Sequence, residues 1–569
     1  VKDDKQNFVL FAVIAALILF GWPLIQGKFF PTANPPVTKI EGGKTKAIAN
    51  PAADPAADGA AAIGDRNAVI ASTPRIRIET PRVSGSINLK GARIDDLVLK
   101  GYDETVAKNS PPIRLLSPAG APDAYFASFG WRAQGLTPPA ADAVWTPSGA
   151  TTLTPTTPVT LDATNATGQR FRIQIAVDQD YMFTVRQTVL NAGAALVPVA
   201  TYGLVNRVGI SKDPSSMTIH VGPMSVDNGG AHYRPNYKDI DEAAQKFTTT
   251  GGWLGFTDKY WLTAIIPDQG QAFDGQFRAG ANKAYQADYA LQPKQLAPGQ
   301  SITQVSRFFA GAKEVRLLDR YTDQAGGVAK LDYAIDWGWF RIVEKPIFYY
   351  LDWLFRMVGN FGVAIILLTV TIRGLLFPIA QRQFKSMAAM RAVQPKMKLL
   401  QEKYKDDKVR MQQEVMALYK AEKVNPLAGC APTLLQIPIM YALYKVLMLT
   451  IEMRHQPFVA WIKDLSAPDP LTPLNLFGLL PFTPPHMIAI GVVPIILGIS
   501  MYFQFKLNPT PMDDTQKQVF KLLPWVLMFV MAPFAVGLQV YWITSNCLTI
   551  IQQKLLYARH PGLKVPVTK

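Results

Sequence analysis

The feature that most constrains this chain is a change of texture near residue 336. Beyond it, apolar runs follow one another at about 360–380, 430–451, 487–505, 517–533 and 538–556, each a candidate membrane span. The last two belong to one stretch, Leu522 to Leu556. As a single helix its roughly 35 residues would measure ~52 Å, well beyond a ~30 Å hydrocarbon core. PFAVG at 533–537 supplies a break, so two short spans are expected there. The first run, which contains LLTVTIRGLLFP, carries Arg373 in its interior, where an arginine costs roughly 2.5–3.5 kcal/mol on insertion scales.

Upstream the chain reads differently. Lys2 and Lys5 precede an apolar run from Phe8 to Ile25; a cleaved signal peptide is one reading, but no A-x-A site follows, and residues 1–30 are read as a retained anchor. Residues 31–69, with NPAADPAADGAAA, have the composition of a flexible linker. From 70 to 325 the period is two. In FRIQIAVDQDYMFTVRQTVL, Phe171, Ile173, Ile175 and Val177 share one face, and many such segments predict a large antiparallel β-sandwich. FFAGAKEVRLLDRY (308–321) is expected to close the domain as a helix. Asp95 and Asp96 are adjacent, so in a strand they should point to opposite faces and cannot act as a carboxylate pair.

Composition excludes several chemistries. Charged residues make up 18%, below the ~25% usual for a soluble domain, yet 58 Lys+Arg against 42 Asp+Glu leave a net charge of +16. That balance suits nucleic acid, ribosome or an anionic lipid surface. Cys430 and Cys547 both fall in predicted spans, so no disulfide framework or metal motif is expected, and the five histidines are scattered. Gly43-Lys44-Thr45 is no Walker A motif, because the position five residues before Gly43 is Thr38. No cofactor is implied.

Basic residues orient the spans. Residues 336–359 mix Trp, Phe and Tyr with Arg341, Lys345 and Arg356, which predicts an amphipathic helix at the bilayer interface. Residues 381–428 are dense in Lys and Arg and are placed inside as two helices around a KDD turn. Met387, Met390 and Met397 stripe the first and Met411 the second; the stripe can pack the hairpin on itself or serve as a docking surface. The loop 452–485 has only Arg454 and Lys463 as cations and belongs outside. The tail 558–569 is basic and belongs inside. Two inside ends require an even number of crossings, giving six spans with the anchor.

In this frame Arg373 lies roughly 12 Å from the cytoplasmic end of its helix at Gln381, a strained distance for snorkelling. No Asp or Glu falls in the other predicted spans. A structural partner is one reading. The other is a fixed cation in a hydrated recess, lined by Thr369, Thr371, Gln436, Ser545 and Asn546.

Four segments carry a family resemblance: TIRGLLFPIAQRQFKSMAAMRAVQPKM (371–397), ALYKAEKVNPLAGCAPTLLQIPI (417–439), FVAWIKDLSAPDP (458–470) and YWITSNCLTIIQQ (541–553). GSINLKGARIDDLVL (85–99) and GWLGFTDKYWLTAIIP (252–267) add weaker similarity. The chain resembles the YidC membrane-protein insertases of Gram-negative bacteria, which have mitochondrial and chloroplast relatives. The resemblance implies a polytopic α-helical membrane protein with a five-span core and a large periplasmic β-supersandwich, in the bacterial inner membrane with both termini cytoplasmic. It implies that Arg373 is the groove arginine, that Thr369 and Trp542 line the path of the entering segment, and that Tyr541 is the tyrosine preceding that aromatic position. It also implies that the hairpin 381–428 is needed for insertion. The expected partners are nascent membrane proteins, the ribosome, the Sec translocon (SecYEG, SecDF), the signal recognition particle receptor and the lipid bilayer, with no specific nucleic-acid sequence. The function expected is ATP-independent insertion of hydrophobic segments. A membrane-anchored carbohydrate-binding receptor is one alternative, but an anchor would need neither Arg373 nor a basic hairpin; a channel or transporter is the other, but the sequence shows no charged or Gly-broken helices at matching positions in two halves.

Overall fold

Between Arg75 and Ala312 the alternation of apolar and polar residues sends one face of each strand inward and builds two large sheets. The computed structural model describes residues 39–41, 44–46 and 64–559, apart from 135, 167–168, 212–218, 382–392, 394, 398, 401, 405–406, 423–430, 478, 481–489 and 508–513, and apart from the side chains of 39–41, 44–46, 408, 431–437, 507, 514–520, 557 and 559. The anchor over 1–30, most of the linker and the tail after Arg559 lie outside the described residues. The chain divides into two compact units, one comprising Pro31–Asp336, the other Trp337–Met448 and Glu452–Lys569.

In the first unit a nine-stranded sheet faces one of eleven strands. Ser301–Ala312 is central to the smaller sheet, between Met182–Leu190 and Trp261–Ile266, and Val197–Val208 is central to the larger, between Tyr125–Ala133 and Ala284–Leu291. Among the described residues all pairings are antiparallel except that of Arg75–Glu79 with Thr152–Leu153. Inward residues interdigitate: Phe129 meets Phe308 edge to face with centroids 6.3 Å apart, and Tyr125 hydrogen-bonds Thr263 across the layers. Among the described residues three α-helices decorate the sandwich: α1 (Arg66–Ala71), α2 (Tyr237–Glu242) and α3 (Val315–Asp323).

Two expectations are corrected here. FFAGA at 308–312 is strand, not helix, because it pairs along its length with Trp261–Ile266 and, at Phe308 and Phe309, also with Met182–Leu190; the helix begins only after Glu314, whose carboxylate is gripped by Arg82 and Tyr102. Asp95 and Asp96 do not diverge. A bulge lets Ser86 face Asp96 while Ile87 faces Ile94, leaving Asp95 as the extra residue. Both carboxylates then join one buried network: Arg75 pairs with Asp95 and Arg66 with Asp96, and Ser86 donates to Asp96 at 2.7 Å. The network is a tie between α1 and the sheet.

His220 gives this unit a pH dependence. Its Nε2 donates to the Pro223 carbonyl at 2.7 Å beside Tyr233, and desolvation pushes the imidazole below its ordinary range. A depressed folded-state value means stability that is present above the unfolded pKa near 6.5 and lost as pH falls through the folded value. Urea unfolding of the full chain in detergent should therefore show a midpoint that falls from pH 7.5 to 5.5, with a smaller fall in His220→Gln.

The second unit is helical: α4 (Arg341–Val358), α5 (Phe361–Leu375), α6 (Lys408–Ala421), α7 (Ala431–Leu449), α8 (Val492–Leu507), α9 (Asp514–Met531) and α10 (Val536–Arg559). The break between α9 and α10 falls where Pro533 and the following residues predict it, and the Gln539 amide caps it by donating to the Met531 and Phe534 carbonyls at 2.9 and 3.0 Å. Among the described residues no helix is long and apolar enough to cross a membrane. After Gly359 in the left-handed conformation, α5 folds back along α4, with Phe355 stacked on Phe361 and the Tyr350 hydroxyl 2.9 Å from Thr371 Oγ1. The inner face of α4 mixes acids with apolar residues, Glu344 (0% exposed) and Asp352 with Phe348, Leu351 and Leu354, while Ile342 (84%), Trp353 and Met357 are exposed. That pattern suits an apolar environment rather than water.

Candidate functional site

One loop organises the start of three helices. Asn360 caps α5, accepting from the Val363 amide at 3.1 Å and donating to the Phe458 carbonyl at 2.9 Å. Asp469 accepts from the Val493 amide at the first turn of α8 at 2.8 Å. The Val536 and Gly537 amides at the start of α10 donate to Ala467 and Leu465, both at 2.9 Å. So α5, α8 and α10 begin at one end of the unit, and α7 and α9 run the other way. Gly362 sits so close to the loop that a Cβ would lie 1.9 Å from the Phe458 ring.

Arg373 occupies the last turn of α5, because the helix is interrupted at Leu376 ahead of Pro378. Carbonyl ends favour a cation there. Its guanidinium reaches across to α10, where Nε donates to Ser545 Oγ at 3.0 Å and Nη2 donates to the same oxygen. The Gln552 amide approaches the Arg373 carbonyl at 3.5 Å. Among the described residues no carboxylate lies within ion-pair distance of Arg373.

The other expected site residues fall around this contact in different ways. Thr369 is 0% exposed and its hydroxyl donates to the Ile365 carbonyl at 2.6 Å, so it is buried packing rather than an open wall. Thr371 faces Tyr350. Tyr541 and Ser545 are buried, and Trp542 is half-buried. Asn546, also buried, donates to Ser500 Oγ on α8 at 2.9 Å, and Ser500 donates to the Leu497 carbonyl at 2.7 Å. The side chain of Gln436 lies outside the described residues. The result is a polar seam through α5, α10 and α8. Sequence reasoning missed Ser500 and Gln552 of this seam, and Lys445, a buried cation within α7. Ser500 and Lys445 each interrupt an apolar run, which is the signal that could have found them, whereas Gln552 sits in the polar run Gln552-Gln553-Lys554 and carries no such mark.

Residues 75–350 match the family model of the YidC periplasmic domain, and residues 353–562 that of the 60Kd inner membrane protein. The membrane protein insertase YidC of Zymomonas mobilis is 49% identical over 563 residues, covering 98% of this chain and 96% of the relative. That of Rhizobium etli is 43% identical over 583 residues, covering 99% and 97%. The chain belongs to the YidC family. It is thus an inner-membrane protein of the insertase family with a periplasmic β-sandwich domain. Among solved structures, an active YidC insertase aligns over 96% of this chain and 99% of its own with a TM-score of 0.36 and 16% identity. A galactose mutarotase related enzyme from Lactobacillus acidophilus aligns over 42% of this chain and 97% of its own with a TM-score of 0.30 and 8% identity.

The hairpin of this YidC family member packs partly on itself. Buried Val393 meets Leu418 and Tyr419, the Tyr419 hydroxyl contacts Met397 sulfur at 3.1 Å, and Lys396 pairs with Glu422 at 2.6 Å. Met397 and Met411 are half-buried, and Met387 and Met390 lie outside the described residues. Among the described residues of the hairpin, Leu399, Val409 and Met416 are exposed large apolar side chains.

Proposed function

We propose that this insertase moves hydrophobic segments from the cytoplasm into the inner membrane along the seam between α5 and α10, with Arg373 as its fixed charge. The observation that carries the reading is a half-buried guanidinium that has a hydroxyl partner in Ser545 and no carboxylate within reach among the described residues. Its charge is left to act on an incoming acidic or polar segment. A guanidinium keeps its charge at any physiological pH.

The chain is read as six spans with both termini inside. The helices α5, α8 and α10 begin at the periplasmic end, and the basic hairpin 381–428 lies in the cytoplasm. The hairpin receives the segment on Leu399, Val409 and the methionines Met387, Met390, Met397, Met411 and Met416. Arg373, acting with Thr369, Gln436, Tyr541, Trp542, Ser545 and Asn546, holds the polar outer portion while the apolar flank passes to lipid. Burial of apolar area, on the order of 25 cal/mol per Å², drives the transfer without ATP. The ribosome, SecYEG, SecDF and the signal recognition particle receptor are the partners this role calls for.

Photo-crosslinking tests the path. A probe at half-buried Trp542, with a ribosome-stalled membrane protein in inner-membrane vesicles, should capture the nascent span. A probe at exposed Phe503 on α8 should capture little. Equal capture at both positions, or none at Trp542, would rule out the seam as the route.

A further inference from the structure

The connection between α7 and α8 ends in a feature that the insertion path does not use. Residues 472–480, Thr-Pro-Leu-Asn-Leu-Phe-Gly-Leu-Leu, contain no charged residue. They turn their apolar side chains outward: Leu479 is 82% and Phe477 55% exposed, with Leu474, Leu476 and Leu480 also exposed. Isolated exposed leucines need no explanation, but four leucines and a phenylalanine in one tight knuckle form an apolar patch that water does not favour.

The backbone is built to hold them out. Leu476 and Phe477 are both left-handed, with φ of 49° and 59°, a conformation that suits Gly or Asn. Hydrogen bonds fix it: the Leu476 amide donates to the Pro473 carbonyl and the Phe477 amide to the Thr472 carbonyl, both at 3.0 Å. The Leu480 amide donates to the Asn475 carbonyl, also at 3.0 Å. The knuckle is also tied to the bundle. The Val492 amide, at the start of α8, donates to the Leu471 carbonyl at 3.0 Å, and Asp469 caps the same turn. The apolar tip therefore stands beside the end at which α5, α8 and α10 begin.

We infer that the knuckle Thr472–Leu480 dips into the bilayer leaflet at that end, with Leu476, Phe477 and Leu479 among the acyl chains. The lipid assignment follows from continuity: α8 and α9 expose Ile496, Ile499, Phe503, Val526 and Phe529, so the knuckle extends an apolar surface already present on the helices. An uncharged tip with backbone hydrogen bonds made within the turn is what an interfacial wedge requires. Because Leu471 and Asp469 lock it to α8, a wedge seated in lipid fixes the height of the bundle, and with it the depth of Arg373 at the far end of α5. The inference rests on the reading that α5 and α7 to α10 are embedded in the membrane.

Spin-label accessibility tests it. The protein, with Cys430 and Cys547 replaced by serine, is labelled at Leu479→Cys in vesicles of phosphatidylethanolamine and phosphatidylglycerol. Phe503→Cys on α8 and Lys108→Cys in the β-sandwich serve as references. The expected result is that the Leu479 label, like that at Phe503, collides more with oxygen than with a water-soluble nickel chelate, the reverse of Lys108. A Leu479 label that behaves like Lys108 while Phe503 remains in lipid overturns the wedge alone. A Phe503 label that behaves like Lys108 overturns the embedding reading, and the wedge with it. A Leu479 label shielded from both reagents and broadened by spin–spin coupling shows a second copy on the knuckle and also overturns the proposal. If Leu479→Cys does not accumulate, Leu474→Cys supplies the same comparison.

Discussion

Arg373→Ala should slow the insertion of segments with acidic outer tails by roughly ten- to a hundredfold, and barely change that of otherwise identical segments with neutral tails. Two charges a few ångströms apart in a medium of intermediate dielectric attract by a few kcal/mol, and each 1.4 kcal/mol is a factor of ten. Arg373→Lys keeps the charge but cannot place two donors on Ser545 Oγ as Nε and Nη2 do. It should retain most of the acidic-tail advantage. Ser545→Ala leaves the charge and removes its anchor, so its effect should be smaller than that of Arg373→Ala. Protease protection in proteoliposomes, with paired substrates differing only in tail charge, checks all three. Equal losses for both tails would mean that Arg373 serves to clamp α5 to α10 and that its charge is incidental.

Local chemistry made much of this fold legible. Phe171, Ile173, Ile175 and Val177 alternate in the sequence and in the sheet, and each is buried. The helix break after Met531 follows from Pro533, and the interruption of α5 from Pro378. What the sequence conceals is distance. Ser545 lies 172 residues beyond Arg373, and nothing in either segment marks the other as its partner. Counting residues to Gln381 put Arg373 deep in a long helix; the interruption at Leu376 puts it in a last turn. FFAGA has no strong local preference and becomes strand only because Met182–Leu190 and Trp261–Ile266 flank it. The bulge at Asp95 is equally non-local, since only the register of Val83–Asn88 reveals the extra residue. For α4 the sequence shows a mixed aromatic and charged helix but not that Glu344 and Asp352 are buried along with Phe348, Leu351 and Leu354.

Asp469 carries more of the second unit than its place in a proline-rich loop suggests. One oxygen accepts from Trp461 Nε1 and the Leu471 amide, both at 3.0 Å, and the other from the Val493 amide at 2.8 Å. The carboxylate is buried, and it sits at the N-terminus of α8, where the helix dipole favours negative charge. Gly491 packs against it so closely that a Cβ would lie 2.5 Å from the Asp469 Cβ. Asp469→Ala strands three donors, and a buried unsatisfied group costs roughly 1–3 kcal/mol, so a loss of about 3 kcal/mol or more is expected. Asp469→Asn keeps an acceptor but loses the charge, and should cost about half as much. Thermal unfolding in detergent reads the ranking, with Asp469→Ala below Asp469→Asn below the parent. Hydrogen exchange gives the local signature: amides at the start of α8 should lose protection first, followed by those at the start of α10, which the same loop holds through Ala467 and Leu465. If protection fell evenly across the unit instead, the loop would be no organiser of helix starts, and Asp469 only one buried carboxylate among several.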